Sequence, residues 1–82
     1  MKLYPNPSTG IVTVELDGLH DAYLVLDVHR IDGSLALKRT LLLTNDRASF
    51  EVDCSLLPVG RYQARVMRDG VALADSPLTI VR

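Results

Sequence analysis

Hydrophobic residues recur at every second position through much of this chain. Residues 11–16 read Ile-Val-Thr-Val-Glu-Leu, with Val12, Val14 and Leu16 on one face and Ile11, Thr13 and Glu15 on the other. A period of two in a β-branched run marks a half-buried strand, because successive side chains leave a pleated backbone on opposite sides. Asp17-Gly18 ends this run. Residues 22–28 repeat the pattern, Leu24, Leu26 and Val28 alternating with Tyr23, Val25 and Asp27. Asp32-Gly33 then predicts a tight hairpin turn whose two central positions take positive φ. Residues 34–43 return as a third strand with Leu35, Leu37 and Leu41 among its apolar positions. Leu41-Leu42-Leu43 breaks the alternation, which a β-bulge would accommodate.

Thr44-Asn45-Asp46 reads as a turn, and residues 48–53 as a fourth strand with Phe50 and Val52 on one face. Residues 56–60 cross over. Residues 61–68 form a fifth strand, Tyr62, Ala64 and Val66 against Arg61, Gln63 and Arg65. Asp69-Gly70 makes a second tight hairpin. Residues 71–74 and 78–81 supply a last strand or pair of strands around Ser76-Pro77, a proline suited to an edge or a bulge. At the head, Pro5, Pro7 and Gly10 rule out helix or central strand and predict a turn over residues 6–10. No window has helical period. Six or seven short strands, with turn signals about every 8–12 residues, predict an all-β, immunoglobulin-like antiparallel β-sandwich.

Size narrows the function. A chain of 82 residues is expected to be one domain spanning 1–82, burying only about 60% of its unfolded surface, too little for a deep catalytic pocket as well as a core. Trp is absent and the aromatics are Tyr4, Tyr23, Phe50 and Tyr62, so aliphatic residues must build that core. The net charge is −1 and Lys38-Arg39 is the only basic pair, so the basic face of a nucleic-acid binder is missing. No apolar run is long enough to insert in a bilayer. The first residues lack the apolar stretch of a signal peptide. The domain is therefore cytoplasmic, or was excised from a longer exported protein, Met1 then being an added start.

Candidate chemistry is sparse. His20 and His29 have Asp17, Asp21, Asp27 and Asp32 as neighbours in sequence, but the spacing matches no metal-ligand set, and they read as solvated residues. Cys54 is alone, so no internal disulfide forms. It reads as a small buried hydrophobe, with an intermolecular disulfide as the other option. No nucleophile, base and orienting group converge, and no glycine-rich phosphate cradle appears, so no catalytic, cofactor or metal residue is assigned. Asn6-Pro7-Ser8 is no glycosylation acceptor, because proline occupies its middle position. Leu57-Pro58-Val59-Gly60-Arg61-Tyr62 is more specific. A tyrosine there can turn its hydroxyl back onto the crossover backbone, as a tyrosine corner does, with Gly60 allowing close approach.

Tyr4-Pro5-Asn6-Pro7-Ser8-Thr9-Gly10 resembles the YPNPxxG opening of type IX secretion sorting domains of type A. Asp32-Gly33 and its flanks match in part the DxxG hairpin that follows in the family. Asp53-Cys54-Ser55-Leu56-Leu57-Pro58-Val59-Gly60-Arg61-Tyr62 is similar to its DLSxLPxGxY segment, and Asp69-Gly70 with residues 78–82 completes the order. Cys54 stands where the family has leucine, Ala64 where a larger apolar residue is common, and Arg82 replaces a lysine-rich close. The resemblance implies an address label at the C-terminus of proteins from Bacteroidetes-type bacteria. Cargo would reach the periplasm by a separate signal and be recognised by an outer-membrane translocon. A sortase-like transpeptidase would then remove the label and join the cargo to an anionic lipopolysaccharide at the cell surface, or the cargo would be released. Recognition is expected at Leu78, Thr79, Ile80, Val81 and Arg82, an edge strand whose free backbone groups could be captured by strand addition, or at a side-chain patch over residues 5–10. Such an edge could also exchange strands in a dimer. The alternative is an immunoglobulin- or fibronectin-like adhesion or spacer module.

Overall fold

The structure is a computed structural model that describes residues 1–16, 23–43 and 49–82. Among them are seven strands and no helix: β1 (Lys2–Tyr4), β2 (Ile11–Glu15), β3 (Tyr23–Arg30), β4 (Leu35–Leu42), β5 (Ser49–Asp53), β6 (Gly60–Arg68) and β7 (Val71–Ile80). They form two antiparallel sheets, one ordered β1-β2-β5 and the other β4-β3-β6-β7. The core between them is the set that the period of two selects. Val12, Val14, Leu24, Leu26, Val28, Val52, Tyr62, Ala64, Val66, Leu78 and Ile80 are all buried, and their sequence neighbours face outward. This is the β-sandwich that the sequence pattern predicts.

The differences from the sequence expectation are local and have physical causes. β1 was not anticipated. It offers one buried residue, Leu3, between exposed Lys2 and Tyr4, too short a run to display a period. Residues 71–80 form one continuous strand, not an interrupted pair. It lies at the edge of its sheet, where Pro77 needs no partner for a missing N–H. Leu41-Leu42-Leu43 keeps strict alternation, buried, exposed, buried. The register shifts lie elsewhere, where Val28 and His29 face Leu37 and Leu35, and where Val66 and Met67 face Ala74 and Ala72. The third strand covers 35–42 and the second extends to Arg30.

The two Asp-Gly turns differ. At Asp69-Gly70 both residues have positive φ, 50° and 79°, and Arg68 pairs directly with Val71, as a two-residue hairpin requires. At Asp32-Gly33 only Gly33 is left-handed, with φ 91°. Gly33 N–H donates to Arg30 O at 2.9 Å and Arg30 N–H to Ser34 O at 2.8 Å. The loop is one residue longer than a tight two-residue turn, and Asp32 works through its side chain. The expected turns at Asp17-Gly18 and Thr44-Asn45-Asp46, and the residues His20, Asp21, Ala22 and Ala48, lie outside the described residues.

Pairing sets the two ends of the sandwich. Ile11 faces Asp53, Arg30 faces Tyr62 and Gly60 faces Ile80, so residues 5–10, 31–34, 54–59 and 81–82 gather at one end, the head end. Lys2 faces Glu15, Tyr23 faces Leu42 and Arg68 faces Val71 at the far end, roughly 27 Å away along β6 at the usual strand rise.

Candidate functional site

The motifs singled out along the sequence converge at the head end. The turn over residues 5–10 lies along the outer edge of the C-terminal half of β7, stitched there by four hydrogen bonds. Asn6 supplies two through its amide. Its Nδ2 donates to Pro77 O at 2.8 Å, and its Oδ1 accepts from Thr79 N–H at 3.0 Å. Ser8 supplies two through its backbone, its N–H donating to Thr79 O and its carbonyl accepting from Val81 N–H, both at 2.9 Å. This is a short parallel bridge between Ser8 and Ile80. The backbone groups expected to be free along residues 78–82 are therefore not free at Thr79 and Val81. An edge strand carries unpaired donors and acceptors, and the chain's own head takes them.

Ser8 closes the turn from inside. It is a buried polar side chain, and its hydroxyl donates to Ile11 O and accepts from Gly10 N–H, each at 3.2 Å. Sequence reading missed this residue, although a serine two positions before a glycine is a recognisable local turn former. Gly10 O in turn accepts from Cys54 N–H at 2.9 Å, which ties the head turn to the β5–β6 crossover.

The tail reaches the same crossover. Arg82 donates from Nη1 to Leu57 O at 2.6 Å and from Nη2 to Ser55 O at 2.7 Å and Cys54 O at 3.4 Å. A planar guanidinium with several donors suits three neighbouring carbonyls. Inside the crossover, Tyr62 Oη donates to Pro58 O at 2.5 Å, the corner that the sequence predicts. Close approach does not require Gly60, since a Cβ there would stand 3.9 Å from the Tyr62 ring, an ordinary contact. Leu57 is buried beneath the crossover, while Leu56 and Val59 are 95% and 61% exposed at its tip.

The head end thus brings together Pro5, Asn6, Pro7, Gly10, Asp32, Gly33, Asp53, Leu57, Pro58, Gly60, Tyr62, Thr79, Val81 and Arg82. Leu78 and Ile80 belong to it from the inside, 2% and 0% exposed, so they shape the surface without forming part of it. Tyr4 stands at its margin. The Tyr4 hydroxyl turns away to Glu15 Oε2 at 3.0 Å, and that hydrogen bond raises its pKa. Asp69 and Gly70 are at the far end.

Two carboxylates hold loops here. Asp32 Oδ1 accepts from Ser34 Oγ at 2.7 Å and Ser34 N–H at 2.8 Å, and Asp53 Oδ1 accepts from Ser55 N–H at 2.9 Å. Hydrogen bonding from Ser34 and from Ser55 respectively lowers each carboxyl below the ordinary range. A carboxyl depressed in the folded state contributes stability above its unfolded pKa, about 4, and loses it as pH falls through the folded value. Urea midpoints should hold steady down to about pH 4 and fall below it, and the fall should shrink in Asp32→Asn and Asp53→Asn. An equal acid-side fall in both variants would remove these carboxylates from the account.

Cys54 is 2% exposed, and burial raises its thiol pKa, with the Asp53 charge adding to it, as for an inert packed thiol. No group of three or more His, Cys, Asp or Glu side chains able to hold a metal is found among the described residues. His29 lies half-buried on the outer face of β3.

A family model described as the secretion system C-terminal sorting domain matches residues 2–75, a stretch that contains both separated motifs. The chain belongs to the type IX secretion C-terminal sorting domain family. No curated protein matches it. The sorting domain is a secretion signal, and it works with the type IX machinery to send its protein toward the cell surface or the extracellular space. This sets aside the adhesion or spacer reading. The family is not an enzymatic one. What its motif residues do physically can be read from the head end. Their hydrogen bonds join the turn over residues 5–10, the crossover and the last five residues at one end of the sandwich.

Proposed function

We propose that the type IX outer-membrane translocon reads the head end as one folded surface. That surface is composed of the turn over residues 5–10, the crossover tip at Leu56, Pro58 and Val59, and the outward residues Thr79, Val81 and Arg82. Tail and head patch, alternatives in the sequence, are one site in this reading. The observation that carries it is the stitching of Asn6 and Ser8 onto β7, which gives a reader side chains and shape in place of a bare strand edge. Exposed apolar residues clustered at such a loop tip are a usual anchor for a protein partner. The domain itself performs no chemistry in this scheme. It passes through the periplasm folded, at the C-terminus of a longer secreted protein, and a sortase-like transpeptidase acts on the chain ahead of it.

The test uses a fluorescent reporter with its own export signal, carrying the domain at its C-terminus in a bacterium with a working type IX system. Leu56→Asp and Val81→Asp change exposed head-end side chains, and Val71→Asp changes a comparably exposed side chain at the far end. Surface display should fall at least roughly tenfold for the first two, the loss expected of an interface anchor, and stay unchanged for the third. Equal display of all three would overturn the reading.

A further inference from the structure

β4 gives the four-stranded sheet a second edge, on the side away from β7. β4 is the outermost strand of the four-stranded sheet and pairs only with β3. In an antiparallel strand with one neighbour, alternate residues turn their N–H and C=O outward without a ladder partner. Across the molecule the comparable stretch of β7 is covered by Asn6 and Ser8. Along β4 no other backbone segment among the described residues is laid in this way, and two of its carbonyls, Leu35 O and Lys38 O, accept from the side chains of Arg30 and Arg39.

The side chains of β4 describe what would fit. Leu41, Arg39 and Leu37 stand opposite Leu24, Leu26 and Val28 in register, so all three sit on the core-facing side. Leu41 is buried, Leu37 half-buried and Arg39 exposed. A cleft of about 240 Å³ opens beside them, with Leu37, Arg39, Asp53, Leu56 and Pro58 in its walls. Among the described residues the Arg39 guanidinium is hydrogen-bonded only locally, Nη1 to Lys38 O at 2.8 Å, while Asp53 across the cleft is engaged by Ser55 and feels the Arg39 charge without a hydrogen bond to it. β4 carries Lys38 and Arg39 and no acid, although the chain as a whole has net charge −1.

We propose that this edge accepts an extended acidic segment of a partner protein, added as a fifth strand beside β4. The side chain opposite Arg39 would be Asp or Glu, and those opposite Leu41 and Leu37 apolar, because residues two apart on an added strand share one face. The acid would meet Arg39 over the cleft, and the two apolar residues would pack beside Leu41 and Leu37. The β4 edge lies outside the surface proposed for the translocon, although the cleft beside it shares Leu56 and Pro58 with that surface, and the binding test below reads β4 without any secretion assay.

The probe is the peptide Thr-Val-Thr-Glu-Glu-Val-Thr, titrated into the ¹⁵N-labelled domain, with Thr-Val-Thr-Lys-Lys-Val-Thr as its charge-reversed partner. Saturable amide shifts confined to β4 and the cleft are expected for the acidic peptide. Affinity should be at least roughly tenfold weaker for the basic one, as for a lost charge pair at an interface. Arg39→Glu should reverse that preference. Circular dichroism of this exposed-site variant checks that it is folded. No saturable shift up to about 1 mM, shifts that map to β7, or a preference unmoved by Arg39→Glu would each overturn the proposal. Lys38 and Arg39 would then serve only to keep an edge from aggregating.

Discussion

Deleting residues 78–82 should unfold the domain, not merely silence it. Leu78 and Ile80 are among its most completely buried side chains, and truncating a buried Leu or Ile even to Ala costs about 2–5 kcal/mol. The deletion removes both outright, along with the hydrogen bonds to Asn6 and Ser8 and the Arg82 fork. The total loss should be at least about 6 kcal/mol, against a whole stability of roughly 4–12 kcal/mol for a domain of this length. Urea unfolding followed by far-ultraviolet circular dichroism should show no cooperative transition. Deleting only residues 81–82 should leave a cooperative transition, weaker by about 1–3 kcal/mol. A normal transition in the longer deletion would mean that β7 is dispensable and that the core is misassigned. Secretion defects from tail deletions in this chain therefore report on folding, and recognition has to be probed with exposed substitutions.

The second large effect is expected at Asn6. Asn6→Ala removes two hydrogen bonds to backbone groups of β7 and leaves Pro77 O and Thr79 N–H to water. The cost should be about 1–3 kcal/mol, or a melting temperature lower by roughly 4–8 °C for each kcal/mol in a domain of this size. The consequence for secretion should be greater, because the turn would then be held to β7 by the Ser8 backbone alone. Asn6→Asp is an informative companion. It keeps an acceptor for Thr79 N–H but sets a carboxylate oxygen against Pro77 O in place of a donor, so it should not rescue. Thermal unfolding and the reporter assay read both variants. If Asn6→Ala melts like the parent and displays its reporter normally, the head turn is ornament and the composite surface is wrong.

Most of the sandwich was legible because a two-residue period in Val, Ile and Leu leaves little choice about which face is buried. It fails where the run is too short to show a period, as in β1, and where an edge strand tolerates a proline, as at Pro77. Turn chemistry was half legible. Asp-Gly told where both hairpins lie, but not that Asp32 would stay at negative φ and hold Ser34 with its carboxylate. The candidate surface was legible as two motifs and not as one place. Nothing in the sequence says that Asn6 and Thr79, 73 positions apart, share a hydrogen bond. That pairing exists only once the core brings β7 beside the head. Ser8 was invisible for the same reason, and so was the fork of Arg82, a residue expected only as part of the recognition tail, since their partners are backbone carbonyls and amides that every residue carries.

The direction of β1 matters for mechanics. Lys2 is at the far end and the strand runs from there toward the head turn. In the proposed scheme a protein carried ahead of the domain would therefore trail from the end opposite the surface proposed for recognition, and its bulk would cast no shadow on that surface. A machine gripping the head end while that burden drags behind pulls along the strands. Where the grip falls on the crossover tip and residues 79–82, the β1–β2 ladder would be loaded in shear, all its rungs at once, and not peeled open one rung at a time. Such a label can be hauled as well as read.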